Sequence, residues 1–423
     1  MKLMPGHVIA RRMFALSAVI LGIALAGSSA SSQPPPRVFV LQPDDLIDTR
    51  RRLQANDASL LPALNKLKRD ADDALNGGTF SVVHKELAPP SGDKHDYMSI
   101  APYWWPNPNT PNGLPYVRRD GEVNPERDQT SDRRRFDNLV RGVKTLALGY
   151  FFTGRDDYAA HAAKLLRVWF LDGTTRMNPH LRYAQAVPGR NVGRAEGIIE
   201  THNLPELVDA VALLAPSKNW RGEDQRSLQK WFDAYLAWLR ESPEGREETQ
   251  AQNNHGTWYD VQIAAFALFV DKGDMAKKVL SKMAEKRIAK QIEPDGRQPR
   301  ELERTQAWSY SLFNLEALFN AAAMASKLGI DLWSYESPDK RGIRKALDWL
   351  VPYATGEKKW NYRQISGLQP EKLAPLLRRG AVRYREPAYE KTIGKLPTGT
   401  EYDRWRLLYL AAATTQSRGD KNQ

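Results

Sequence analysis

Apolar residues along most of this chain recur with the period of an α-helix, and the alternating pattern of a half-buried strand is nearly absent. Leu60, Leu61, Leu64 and Leu67 mark an early helix. Leu139, Val143, Leu146 and Tyr150 mark a second, ending at Thr153-Gly154, and Ala159, Ala163, Leu166 and Phe170 a third, ending at Asp172-Gly173. Further helices are expected at about 194–214, 224–240, 256–271, 274–290, 307–327, 341–353 and 402–413. Val38-Phe39-Val40-Leu41 is the one short strand candidate. Helices of these lengths, joined by short Gly/Asp turns, pair antiparallel. The expected fold is therefore all-α, an incomplete (α/α) toroid built from such pairs.

Residues 84–136 interrupt the helical pattern with Pro, Asn, Gly and aromatic residues. Long irregular segments in compact domains tend to be lids or binding loops, and an aromatic lid is expected here. Residues 31–423 read as one domain. Residues 1–30 read as a signal peptide, with Lys2, Arg11 and Arg12 as the basic region and Met13 to Ala26 as the apolar region. Small residues follow at Ser28-Ser29-Ala30, and Arg11-Arg12 before Phe14 faintly resembles a twin-arginine signal. The apolar run is too short for a stable membrane span. An exported, periplasmic protein is expected, and the absence of cysteine removes disulfides and thiolate chemistry from consideration.

The formal charge is +12, or near +9 (12 − 3) once residues 1–30 are removed. Such a balance points to a polyanionic partner. No helix-turn-helix, zinc-finger or RNA-binding signature supports nucleic acid, so an anionic polysaccharide is the expected partner. The seven histidines lack the paired spacing of a zinc site, and there is no phosphate-binding glycine loop and no G-x-S-x-G elbow. No metal and no cofactor are expected.

Four clusters carry chemistry. Lys94-His95-Asp96-Tyr97 precedes Pro102-Tyr103-Trp104-Trp105-Pro106, which reads as a stacking platform with cations for a sugar carboxylate, or as the loop's own small core. Asn253-Asn254-His255-Gly256-Thr257-Trp258-Tyr259 opens an apolar helix, where backbone N–H groups favour an anion, although an Asn there also serves as a helix cap. Arg297, Arg300, Glu301, Glu303 and Arg304 lead into Trp308 and Tyr310, and a solvated charged face is the plain alternative. Arg194, Glu196, Glu200, His202 and Asn203 form either a second wall or an ion-paired helix surface. Paired carboxylates among Glu196, Glu200, Glu301 and Glu303 keep a glycoside hydrolase in view. A non-catalytic polysaccharide-binding protein is the remaining rival.

The Lys-His-Asp-Tyr and Tyr-Trp-Trp-Pro segments, followed by Asn253-Asn254-His255-Gly256-Thr257-Trp258, resemble the signature of the alginate lyase domain family over residues 80–350. The resemblance implies an incomplete α/α toroid that cleaves uronate polymers without a metal. By position it implies that Asn254, His255, Arg304 and Tyr310 are catalytic. It also implies that Lys94 and Tyr97 are lid residues. His95, Tyr103, Trp104, Trp105, His202, Asn203, Trp258, Tyr259 and Arg300 complete the expected substrate-binding set. Gly256-Thr257 stands where the alginate-specific branch has Ser-Tyr, which brings glucuronan and related β-1,4-glucuronates into the substrate class. In mannuronate and glucuronate H5 and O4 lie on one face, so one residue, Tyr310, serves as base and then acid. In guluronate they lie on opposite faces, and His255 would be the base. Arg304 is expected to favour the Tyr310 phenolate.

Overall fold

The longest helices stop where the backbone turns left-handed or loses its apolar stripe. In the computed structural model, which describes residues 34–130, 132–397 and 404–410, helix Arg133–Thr153 ends at Gly154, whose φ of 72° lets its N–H return to Tyr150 O. The next helix, Asp156–Leu166, folds back and packs along it. Helix Arg133–Thr153 also packs on Leu61–Leu75 and on Leu204–Leu214. Helix Asn254–Phe269 then packs on Gly222–Glu241, Gly273–Leu280 and Ala307–Ser326. Ala307–Ser326 continues to Ile343–Ala354, and that helix to Ala374–Tyr384. This succession of packed helices is an incomplete α/α toroid. Helices Asn254–Phe269 and Ala307–Ser326 are buried on nearly every side, which is why their sequences are apolar all round.

Among the described residues four short strands accompany the helices: β1 Met98–Ile100, β2 Trp104–Trp105, β3 Val117–Arg118 and β4 Tyr183–Ala186. β1 pairs in parallel with β4, and β2 pairs antiparallel with β3, Trp104 opposite Arg118. The loop expected at 84–136 thus carries three strands and the helix Glu126–Thr130. Its base is fixed by a buried ion pair of Lys85 with Asp132 at 3.0 Å, and Lys85 Nζ also donates to Lys94 O at 2.7 Å.

Val38–Leu41 is not a strand. The N–H groups of Phe39, Val40 and Leu41 donate to the buried Asp209 carboxylate, and Lys327 Nζ donates to Val38 O and Phe39 O at 2.8 Å. The buried Asp209 carboxylate and the Lys327 ammonium meet backbone needs that a neighbouring strand would otherwise meet. The helix expected at 274–290 is interrupted, as Gly273–Leu280 gives way to a wide turn at Ala284–Ile288. Helices that lay outside the expectation include Pro43–Gln54, Pro243–Glu248, Pro299–Leu302, Ala374–Tyr384 and Pro387–Ile393. Of the helix expected at 402–413, Trp405–Leu408 is described. The signal expected at 1–30 lies outside the described residues. Pro35–Gln423 forms one compact unit, and among the described residues no helix is long and apolar enough to cross a membrane.

Candidate active site

A cleft of about 430 Å³ opens where the two paired loops meet the inner helices. Tyr103, Trp104 and Arg118 come from β2 and β3, and Gln185, Arg194 and Glu196 from β4 and the turn of helix after it. His255, Arg304, Tyr310 and Phe313 come from the starts of the two innermost helices.

Tyr310 sits in the first turn of helix Ala307–Ser326. Its hydroxyl lies 2.7 Å from the Tyr103 hydroxyl and accepts from Arg304 Nη2 at 2.9 Å. The Arg304 guanidinium also covers the Tyr310 ring at 3.9 Å from its centroid. Asp120 fixes that guanidinium, accepting from Nη2 at 2.7 Å and from Nε at 3.2 Å. Thr305 N and Oγ1 donate to Asp120 in turn, at 3.2 and 3.1 Å. Burial alone would raise the Asp120 carboxyl, but these hydrogen bonds prevail and hold it at about 2. Gly121 makes the approach possible. Its φ is +77°, and a Cβ there would stand 2.2 Å from Thr305 Oγ1.

Arg304 favours the Tyr310 phenolate as expected, but burial outweighs it. Burial pushes the phenol well above its ordinary range, Tyr103 adds to this, and Arg304 only partly opposes it. The net shift favours the neutral phenol.

His255 is the second residue of helix Asn254–Phe269, whose cap is Asn253, with Oδ1 accepting from His255 N at 3.2 Å. His255 Nδ1 lies 2.7 Å from Glu248 Oε1, and Glu248 is buried at the end of helix Pro243–Glu248. Burial would lower the imidazole, but the Glu248 charge and hydrogen bond outweigh it, with Glu196 and Glu301 adding to them, and the net shift is upward. His255 thus favours the imidazolium, with Nδ1 committed to Glu248 and Nε2 left for a ligand.

Asn254 does not line the cleft. It is fully buried, its backbone N and Nδ2 donating to Glu301 at 2.7 and 2.6 Å. The cleft-lining asparagine is its neighbour, Asn253. Of the expected binding residues, Tyr103 and Trp104 reach the cleft. Tyr97 is a core residue, its hydroxyl donating to Glu200 at 2.6 Å. Trp258 and Tyr259 are buried and donate to Phe313 O and Leu239 O. His202 packs edge-on between Trp258 and Phe313, and burial lowers it to about 4. Asn203 caps helix Leu204–Leu214 by position. His95 holds Arg176 O at 2.6 Å, and Trp105 donates to Glu122 O at 3.0 Å beneath Arg119. Lys94 and Arg300 are exposed outside the cleft lining.

The hydrolase reading fails on the same geometry. Glu200 is buried under Tyr97 and Ser99, Glu301 is buried under Asn254, and Glu303 is exposed outside the lining. Of the four expected carboxylates only Glu196 faces the cleft, where it pairs with Arg194 at 3.1 Å, while hydrolysis needs two. Among the described residues no group of three His, Asp or Glu is placed to hold a metal ion.

Gln185, which lines the cleft, and Asp120 and Glu248, which hold Arg304 and His255, are residues that periodicity did not single out. Gln185 takes a left-handed φ of 50°, its side chain accepting from Arg194 Nη2 at 2.7 Å. A non-glycine residue in that region stores strain, and such residues concentrate at functional sites. Asp120-Gly121 could have been read as a turn, but nothing local marks its partner as Arg304.

Residues 81–360 match the family model described as alginate lyase. A comparison with curated proteins finds no match. The crystal structure of an alginate lyase from Bacteroides ovatus is similar, with a TM-score of 0.85 and 39% identity over 88% of this chain and 99% of that one. Alginate lyase A1-III from Sphingomonas species A1 shares the fold, with a TM-score of 0.58 and 17% identity over 91% and 100% of the two chains. A tetrasaccharide complex of A1-III aligns similarly, at 0.58 and 16% over 91% and 99%.

Proposed function

Because this chain belongs to the alginate lyase family and is a polysaccharide lyase, we propose that it cleaves a β-1,4-linked uronate polymer whose H5 and O4 lie on one face of the ring. Polymannuronate in alginate is the first substrate, and β-1,4-glucuronan shares the required stereochemistry. The observation that carries this reading is the convergence of Tyr103 and Arg304 on the Tyr310 hydroxyl, at 2.7 and 2.9 Å.

The C5 proton of a uronate is weakly acidic because the adjacent carboxylate must accept the charge of an enolate-like intermediate. A cation at that carboxylate lowers the cost, and donors aimed where charge develops have the largest effect. The His255 imidazolium, set by Glu248, fills that role through Nε2. Tyr310 first loses its phenol proton to solvent and reacts as the phenolate, its charge held by donation from Arg304 and from the Tyr103 hydroxyl, which turns to donate once Tyr310 is ionised. It takes H5 and becomes a phenol. The phenol then gives the same proton to O4 as the C4–O4 bond breaks and the C4=C5 double bond forms, which regenerates the phenolate. One proton moves from C5 to Tyr310 to O4, so base and acid are a single residue. An imidazolium cannot be the base required by guluronate, and polyguluronate is therefore expected to be poor.

Export to the periplasm is supported by the basic and apolar run at residues 2–26. The test follows the ultraviolet absorbance of the unsaturated uronate on polymannuronate, polyguluronate, glucuronan and pectate. A rise on polymannuronate or glucuronan, well above polyguluronate, is expected. Preference for polyguluronate would overturn the one-residue mechanism.

A further inference from the structure

Beneath the cleft wall, the contact of Glu301 with Asn254 leaves one atom unsatisfied. Glu301 is 1% exposed, and its two oxygens accept from the Asn254 backbone N and from Nδ2. With Nδ2 turned to Glu301, the other atom of the amide, Oδ1, is buried without a hydrogen-bond donor. Buried polar atoms are nearly always paired, so an orphan on the residue next to His255 needs a reason.

The charged groups facing Glu301 are His255, next to Asn254 on the same helix, and Arg304, on the segment that follows Glu301. Glu248 and Glu196 face His255 in turn. Burial is the largest influence and pushes the Glu301 carboxyl up to about 7, although Asn254, His255 and Arg304 all favour its charged form. A second carboxylate arriving nearby must raise it further, since two like charges in a closed site cannot both be held cheaply.

This inference rests on the lyase reading above. We propose that Glu301 takes up a proton when a uronate carboxylate enters beside His255, and that the resulting acid donates to Oδ1 of a turned Asn254 amide. The pairing is complementary at both atoms. The carbonyl oxygen of the neutral acid still accepts the Asn254 backbone N–H, and its hydroxyl now donates to the oxygen that had no partner. The proton comes from solvent and returns to it on release, so the net reaction is unchanged. Glu301 touches no substrate; it is a positioning residue that acts through Asn254 and through its own charge.

The experiment is calorimetry of saturated polymannuronate or glucuronan oligomers binding to the full chain carrying Tyr310→Phe, which neither cleaves them nor releases the phenol proton, in buffers of different ionisation enthalpy, with steady-state kinetics of the wild type alongside. The Tyr310→Phe chain should take up close to one proton per site at about pH 8, and the wild-type KM should rise about tenfold per pH unit once Glu301 ionises. Glu301→Gln mimics the neutral acid, so added to Tyr310→Phe it should abolish that uptake, and alone it should keep KM flat over that range. Glu301→Asp should restore a pH-dependent KM. Cleavage by the wild type with binding by Tyr310→Phe but no proton uptake would overturn this proposal and leave the lyase reading intact. Absence of product and of binding heat on every uronate polymer would overturn both. The proton count of Tyr310→Phe decides the matter even if Glu301→Gln fails to fold.

Discussion

His255 Nδ1 lies 2.7 Å from the buried carboxylate of Glu248, and this contact decides what the histidine can do. A neutral imidazole is a base; an imidazolium is a clamp for an anion. The upward shift keeps His255 charged above the ordinary histidine range, so its proton is lost only as pH climbs past that raised value. Glu248→Gln removes the charge that holds the proton. The alkaline fall of kcat/KM should then move toward acid, and KM at about pH 7.5 should rise about tenfold through loss of a charge-assisted donor. Steady-state pH profiles of the two proteins check this. An unmoved alkaline limb would mean that His255 does not act as the imidazolium.

Tyr310→Phe removes the one atom that carries the proton from C5 to O4. Turnover should fall by at least ~10³-fold with the thermal midpoint nearly unchanged, because the hydroxyl serves the cleft and not the core. Tyr103→Phe removes one of the two donors to the developing phenolate and should cost about 10²-fold in kcat with little change in KM. Single-turnover absorbance measurements separate the two effects from product release.

How much of this was legible beforehand depends on how far each signal reaches along the chain. Helix Asn254–Phe269 and helix Ala307–Ser326 are long and apolar, and their positions follow from local pattern. Tyr310, Arg304 and His255 lie at the mouths of those helices, so finding the helices places them near a common opening. Contacts between distant segments are different. Asp120 meets Arg304 across 184 positions and Glu200 meets Tyr97 across 103, and no periodicity encodes either pairing. The aromatic residues misled for a related reason. Trp258 and Tyr259 sit beside Asn253-Asn254-His255 in sequence, but a helix turns successive side chains to different faces, and here both face the core.

Asp120 is held at about 2, below its ordinary value near 3.8, so its contribution to stability is present above about pH 4 and is lost as pH falls toward about 2. Asp120→Asn should flatten acid unfolding in that window, while unfolding above about pH 5 shows only the loss of the charged hydrogen bonds, about 2 kcal/mol. The freed Arg304 no longer holds one geometry against Tyr310, so kcat should fall about tenfold or more. Gly121→Ala should reproduce the kinetic defect without touching a charge, because its Cβ would push the Asp120 turn away from Thr305. Urea unfolding at several pH values, with kcat on the same preparations, checks both variants.

Tyr97 separates a buried support from a sugar contact. Its hydroxyl donates to Glu200 at 2.6 Å, Ser99 donates to the same oxygen at 2.7 Å, and Gln185 N donates to Ser99 Oγ at 2.7 Å. Gln185 is the strained residue in the cleft wall, so the chain of contacts runs from the core to the site. Tyr97→Phe leaves the buried Glu200 one donor short, which should cost about 1–3 kcal/mol of stability. A lid residue that touched substrate would show the loss in KM. A core residue shows it in the unfolding midpoint, with KM for polymannuronate within about twofold of wild type. Chemical denaturation and steady-state kinetics on Tyr97→Phe distinguish the two, and a KM raised tenfold at unchanged stability would return Tyr97 to the lid.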